Sequence, residues 1–191
     1  IQVDAEKLKK NNYVIHFEGS DFVTKVWVNG QYAGSHRGGY ARFDFDISTL
    51  LKDGENELVV KVEDSFDMQQ PRGKQRWIDK NFGCWYVQTT GIWKTVWSEY
   101  VPKVSLKAVK MTPNMEEHAL ELTSGHVEAR ADVFLRHNDH GLEWGVRSWS
   151  PEEPDLYDVE FQVICRGEVV DEVGSYFAMR EIRIDGPNIL L

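Results

Sequence analysis

Cysteine and proline are scarce. Two cysteines, Cys84 and Cys165, and six prolines are spread over 191 residues. There is no Cys-x-x-Cys pair, no phosphate-cradling glycine loop and no Ser/His/Asp set. Positive charge is short as well: 22 Lys and Arg against 31 Asp and Glu leave a formal net charge of -9. That balance argues against a polyanion partner, so neither nucleic acid nor an anionic membrane is expected. No apolar run is long enough to cross a bilayer. No charged-then-apolar leader opens the chain. A cytoplasmic location is therefore the expectation, although Ile1 rather than Met stands first and the true N-terminus is expected upstream. Helical patterning is rare too, with only Asp4 to Lys10 suggesting a helical turn.

What is present is aromatic and alternating. Seven Trp and nine Phe carry much of the apolar content, and 41% hydrophobic against 28% charged residues marks a globular chain. Phe22 to Val28 runs into Asn29-Gly30, whose residues tolerate the positive φ of a type I′ hairpin turn. Phe43, Phe45 and Ile47 alternate with Arg42, Asp44 and Asp46, and Leu58, Val60 and Val62 alternate with Val59, Lys61 and Glu63. Period two with one apolar face is the mark of a half-buried antiparallel strand. Cys84 to Gln88 and Ile92 to Trp97 read as further strands, and both cysteines read as buried thiols rather than a disulfide. Pro102 interrupts pairing, which sets a boundary between segments 1–102 and 103–191. In the second segment Val127 to Leu135 and Tyr157 to Val163 alternate, Trp149 to Pro154 forms a rigid turn, and Arg166-Gly167 reverses the chain. Short strands punctuated at regular intervals predict two β-sandwiches in series.

Asp64 to Trp77 breaks the pattern. It follows a clean strand and gathers Arg72, Lys74, Gln75, Arg76 and Trp77 around Pro71 and Gly73. Cationic forks, amides and an indole face suit a polyhydroxylated or carboxylated ligand. The competing reading is a solvated loop whose Trp77 plugs the edge of the core. Asn56-Glu57 sits in a turn that opens a strand, so it is not read as a catalytic acid. His126, His137, Asp139 and His140 read as solvated turn residues rather than metal ligands. His36 is expected to hydrogen-bond the backbone at Gly38-Gly39, and Tyr40 to be a core or edge aromatic with its hydroxyl satisfied. Arg180 shares a strand parity with Ala178 and Ile182, so it reads as a buried arginine needing a carboxylate partner across a domain interface.

A set of motifs recurs in order: His16-Phe-Glu-Gly19, Val26-Trp-Val-Asn-Gly30, Gly38-Gly-Tyr40, Phe43-Asp-Phe-Asp-Ile47, Gly54-Glu-Asn56, Arg72-Gly-Lys-Gln75 and Thr90-Gly-Ile-Trp93. Trp149-Ser-Pro151, Leu156-Tyr157 and Phe177-Ala-Met-Arg180 follow. Together they resemble glycoside hydrolase family 2, the family of β-galactosidases, β-glucuronidases and β-mannosidases. The resemblance implies an all-β chain: a galactose-binding-like jelly-roll over 1–102, then an immunoglobulin-like sandwich over 103–191, both incomplete. The family's catalytic carboxylates lie on a (β/α)8 barrel, expected beyond Leu191, so this chain is expected to carry no catalytic residue and to be inactive alone. Its middle is shorter than the family's between Leu122 and Trp144.

The resemblance further implies that Asp64, Arg72, Lys74, Gln75, Trp77, Tyr86 and Gln88 bind substrate or frame its cleft. Thr90, Gly91, Trp93 and Arg180 are implied at a domain interface. No metal or cofactor is expected in the chain. The implied partners are a β-glycoside, reached through the whole enzyme, and the barrel of the same polypeptide, with homo-oligomerisation left open. A free-standing carbohydrate-binding module is the alternative, and a structural or adhesive sandwich pair a third reading.

Overall fold

Apolar–polar alternation becomes strand almost wherever it occurs. The computed structural model describes residues 1–66, 68–117, 119–124, 127–132 and 146–190, which divide into two compact units, Ile1–Lys103 and Val104–Leu191. The first unit runs β1 (Gln2–Val3), α1 (Ala5–Lys10), β2 (Asn11–Phe17), β3 (Ser20–Asp21), β4 (Val23–Val28), β5 (Gln31–Arg37), β6 (Phe43–Asp46), β7 (Gly54–Glu55), β8 (Leu58–Glu63), β9 (Gly91–Ile92) and β10 (Val96–Pro102). Two three-stranded antiparallel sheets dominate, ordered β10-β2-β6 and β5-β4-β8. Tyr13, Ile15 and Phe17 point inward from β2, and Val26 and Val28 from β4. These five meet Val3 and Ile47 in one apolar core. Two sheets sharing one apolar layer make a β-sandwich. Phe17 is fully buried and stacks on Phe43 at 4.8 Å between ring centres.

Local chemistry fixes the corners. Asn29 and Gly30 take φ of 50° and 78°, the left-handed pair that the β4–β5 hairpin needs. The Asp4 carboxylate accepts from the amides of Glu6 at 2.9 Å and Lys7 at 3.4 Å, capping α1. The helical turn expected from Asp4 to Lys10 is therefore present, and it is the one α-helix among the described residues.

The second unit holds β11 (Lys110–Asn114), β12 (Ala119–Ser124), β13 (Val127–Asp132), β14 (Tyr157–Cys165), β15 (Glu168–Phe177), β16 (Arg183–Asp185) and β17 (Asn188–Leu190). They pair as β11-β12-β13, β14-β15 and β16-β17. Arg166 and Gly167, at φ of 53° and 85°, turn β14 into β15. Leu120 and Met179 are buried, with Met111, Leu122, Val146, Tyr157 and Phe177 packed on them. The all-β expectation is borne out.

Two strand expectations need correction. Cys84 to Gln88 is not a strand, its only pairing being an isolated bridge between Tyr86 and Gln75, and Cys84 is exposed. Aromatic residues there pack on a loop, so apolar content does not mean sheet. Ile92 to Trp97 is broken into β9 and β10, because the chain passes from pairing with β3 to pairing with β2. The amides of Trp93 and Lys94 both donate to Gly19 at that crossing, at 3.2 and 3.3 Å. The strand expected to reach Leu135 is seen as β13, and residues 133–135 lie outside the described residues, as do His126, His137, Asp139 and His140.

Candidate functional site

Residues 64–90 leave β8 at Asp64 and return through Gly91 of β9. Gly91 pairs with Asp21 of β3, and Glu63, the last residue of β8, pairs with Val23 of β4. Register thus brings Asp21 and Asp64 to the same end of the sandwich. Asp64 accepts from the Ser65 amide at 2.7 Å, the Gln70 side chain at 2.6 Å and the Thr90 hydroxyl at 3.5 Å. The Ser65 carbonyl accepts from the Arg72 guanidinium and from the Gln88 amide at 3.3 Å. Gln75 works in both directions: its Nε2 donates to Asp21 Oδ2 at 3.1 Å, and its Oε1 accepts the Thr89 N–H at 2.9 Å. The backbone ties the same arms together, Tyr86 N–H donating to Lys74 and Arg76 N–H to Tyr86, both at 2.8 Å.

Burial separates brace from surface. Asp21, Gln70 and Arg72 are only 6%, 7% and 9% exposed. A buried polar group needs partners, and these have them within the loop and sandwich edge. Burial pushes the Asp21 carboxyl above its ordinary pKa; the Gln75 hydrogen bond and the Arg72 charge oppose this, and the Asp64 charge adds to it. Trp77 is half-buried, edge-on to Phe82 at 4.9 Å and to Trp85 at 4.5 Å. Lys74 is exposed, and Tyr86, Tyr40 and Trp93 are 66%, 55% and 50% exposed. The Trp93 indole donates to the Gly39 carbonyl at 2.8 Å, and its ring meets Tyr40 edge-on at 6.1 Å. Chemically the arrangement is a cross-linked loop offering aromatic edges and an ammonium to solvent. Asp21 and Asp64 each accept from the loop's own donors.

Of the residues expected to bind or frame a ligand, Asp64, Arg72, Gln75 and Gln88 thus hold the loop together, and Lys74, Trp77 and Tyr86 make its outer surface. Thr90 reaches Asp64, and Gly91 forms the β3–β9 corner. Asn56 is buried in its turn, while Glu57 is exposed beside it. Three expectations are corrected. His36 does not bond the turn backbone: it stacks on Phe43 at 4.1 Å, and its buried Nε2 has no hydrogen-bond partner among the described residues. Tyr40 is exposed, so of the core and edge readings only the edge one stands, and its hydroxyl, expected to be satisfied, has no hydrogen-bond partner among the described residues. Arg180 is exposed, with its guanidinium 4.7 Å from the centre of the Trp149 ring, because the chain has left β15 at Phe177 and strand parity no longer applies.

Asp21, Gln70, Phe82 and Trp85 were missed. The one signal was Gly38-Gly39: a Cβ on Gly39 would come 2.6 Å from Asp21 Oδ1, so that glycine marks a close approach. Its partner is far away in sequence. Among the described residues no three His, Cys, Asp or Glu side chains gather as a metal would require.

The profile of the glycosyl hydrolases family 2 sugar binding domain matches residues 1–100, and that of glycosyl hydrolases family 2 matches residues 107–180. The chain belongs to glycosyl hydrolase family 2. A β-galactosidase of Thermoanaerobacter pseudethanolicus is 27% identical over 212 residues, covering 95% of this family 2 chain and 28% of the relative. A β-galactosidase of Clostridium acetobutylicum is 28% identical over 206 residues, covering 94% of the chain and 22% of the relative. A Ruminococcus gnavus β-glucuronidase, solved with uronic deoxynojirimycin, superimposes with a TM-score of 0.71 at 20% identity, over 100% of this chain and 36% of its own. That likeness speaks for the fold. The family 2 chain spans about a quarter of the length of the curated relatives it matches.

Proposed function

We propose that this chain is the non-catalytic front of a family 2 glycosidase that hydrolyses β-galactosides or β-glucuronides with retention. One observation carries the reading: two family 2 segments occupy 1–100 and 107–180, yet the chain spans only 28% and 22% of the β-galactosidases it matches. Retaining hydrolysis needs two carboxyl groups about 5–5.5 Å apart, one of them kept protonated. In this reading a (β/α)8 barrel of the same polypeptide supplies both. Asp21 and Asp64 suit a different task, since each is bonded by the loop's own donors.

The loop 64–90 then forms a rim of the cleft on the leaving-group side. Trp77, Tyr86 and Lys74 are its ligand-facing groups, and Asp64, Arg72, Gln75 and Gln88 its frame. Aromatic faces and a few placed polar groups are the usual lining of a sugar or aglycone site. Thr90, Gly91 and Trp93 sit in the docking face for the barrel. The exposed Ile92, Trp93, Val96 and Trp97 support this, because adjacent large apolar groups in solvent mark a contact surface.

The test is a pair of assays with nitrophenyl β-galactoside and β-glucuronide. The 191-residue chain is expected to be inert, and the longer product of the same reading frame to turn one of them over. Turnover by the 191 residues alone, or a longer product inert on both, overturns the reading.

A further inference from the structure

We propose that Gln75 is the positioning residue of the cleft rim: its side-chain amide pins both arms of the 64–90 loop to the buried Asp21 and thereby fixes where Trp77 and Tyr86 stand. The inference rests on the reading of this loop as a cleft rim. Three observations carry it. One side chain joins three separate pieces of chain, because Gln75 lies on the outgoing arm, Thr89 on the returning arm and Asp21 on β3. The post it is tied to cannot retreat, since Asp21 is backed by Gly39, where even a methyl group would come within 2.6 Å of Oδ1. The Gly39 carbonyl is in turn held by the Trp93 indole. Finally, the backbone of Gln75 bridges Tyr86, and Trp77 two residues on packs against Trp85, so a shift at Gln75 is carried to both aromatic groups.

The position demands an amide. It must donate to a carboxylate and accept from a backbone N–H at the same time, and Asn and Gln offer both in one planar group that does not titrate. Asn is one methylene shorter. A carboxylate there still accepts from Thr89 but opposes Asp21. The charged groups facing Asp21 are Asp64 at the end of β8 and Arg72 in the loop. Gln75→Glu therefore sets three acids against one guanidinium. At low pH the introduced carboxyl and Asp21 share a proton and the tie re-forms; at high pH both ionise and it opens.

The direct test is hydrogen exchange on the 191-residue chain, followed at the amides of Arg76, Tyr86 and Thr89, with β2 and β4 as controls. Removing these two hydrogen bonds, one of them to a carboxylate, is expected to raise loop exchange about tenfold or more in Gln75→Ala, with the control strands unchanged. Gln75→Glu is expected to match it at about pH 8 and to return to wild-type protection at about pH 5. Unchanged loop exchange in Gln75→Ala overturns the proposal. So does a loss spread equally through β2 and β4, or a Gln75→Glu loop that ignores pH.

A second arm measures aryl β-glycoside kinetics in the longer enzyme. Gln75→Ala is expected to raise KM about fivefold to tenfold with kcat changed less than about twofold, as lost uniform binding does. An opened loop with unchanged KM overturns the positioning role while the brace stands. A wild-type longer enzyme with no glycosidase activity instead sinks the proposed function and leaves the exchange result to be judged alone.

Discussion

Substituting Gly39 by Ala tests the packing on which the loop brace depends. The added methyl would lie 2.6 Å from Asp21 Oδ1 and 3.0 Å from its Cγ, well inside van der Waals contact. Neither neighbour yields easily, because Gly39 is buried with its carbonyl bonded to Trp93, and the Asp21 carboxylate is held by Gln75. Overpacking of this kind costs about 1–3 kcal/mol. Weakening of the Gln75–Asp21 hydrogen bond adds roughly 1 kcal/mol. For a unit the size of Ile1–Lys103, each kcal/mol moves Tm by about 4–8 °C, so its transition should fall by roughly 8–32 °C. Differential scanning calorimetry on the variant measures this. Asp21→Ala removes both crowded atoms, so on that background Gly39→Ala should cost less than about 1 kcal/mol. If the two substitutions instead add to within about 0.5 kcal/mol, Asp21 is not what the methyl meets and the reasoning fails.

Further outcomes follow from the same geometry. Burial holds the Asp21 pKa above its unfolded value, so its ionised form is a penalty above the folded pKa, relieved as pH falls through it towards 3.8. Asp21→Asn keeps an acceptor for Gln75 and should melt no lower than wild type at pH 7, whereas Asp21→Ala should lose about 1–3 kcal/mol; equal damage from both would refute this. Glu63 behaves in the opposite sense: hydrogen bonds from Lys25 and Lys61 lower its pKa to about 2 from 4.5, so its contribution is present above 4.5 and fades as pH falls towards 2. Carboxyl NMR titration should show that value rising in Lys25→Met, and an unmoved titration would contradict the assignment. Phe17→Ala, which empties a fully buried site against Phe43 and Phe45, should cost about 3–5 kcal/mol in urea unfolding, and a loss under about 1 kcal/mol would mean that Phe17 is not central.

The sandwich was legible because its determinants are local. A residue on β6 or β8 faces core or solvent by parity, so Phe43, Phe45, Leu58 and Val60 could be placed without knowing their neighbours. Asn29-Gly30 declares its turn through backbone sterics alone. The site was legible only in outline. That 64–77 is not strand follows from its residues; that it is tied to Asp21 does not, because β3 and β9 share a ladder of two pairs between residues 70 and 72 positions apart in the chain. Cys84-Trp-Tyr-Val87 was misread because aromatic and β-branched residues suit a strand and a packed loop equally well. Arg180 was misread because strand parity was carried past the residue at which the strand ends.

A mechanism-based label gives the most direct test of the division of labour at the centre of this account. A 2-deoxy-2-fluoroglycosyl fluoride traps the nucleophilic carboxylate of a retaining glycosidase as a stable glycosyl-enzyme. Peptide mapping of the labelled longer enzyme should place the sugar on a carboxylate outside residues 1–191, and the 191-residue chain should take up none. A label on Asp21, Asp64 or any other acid within these residues would contradict the account.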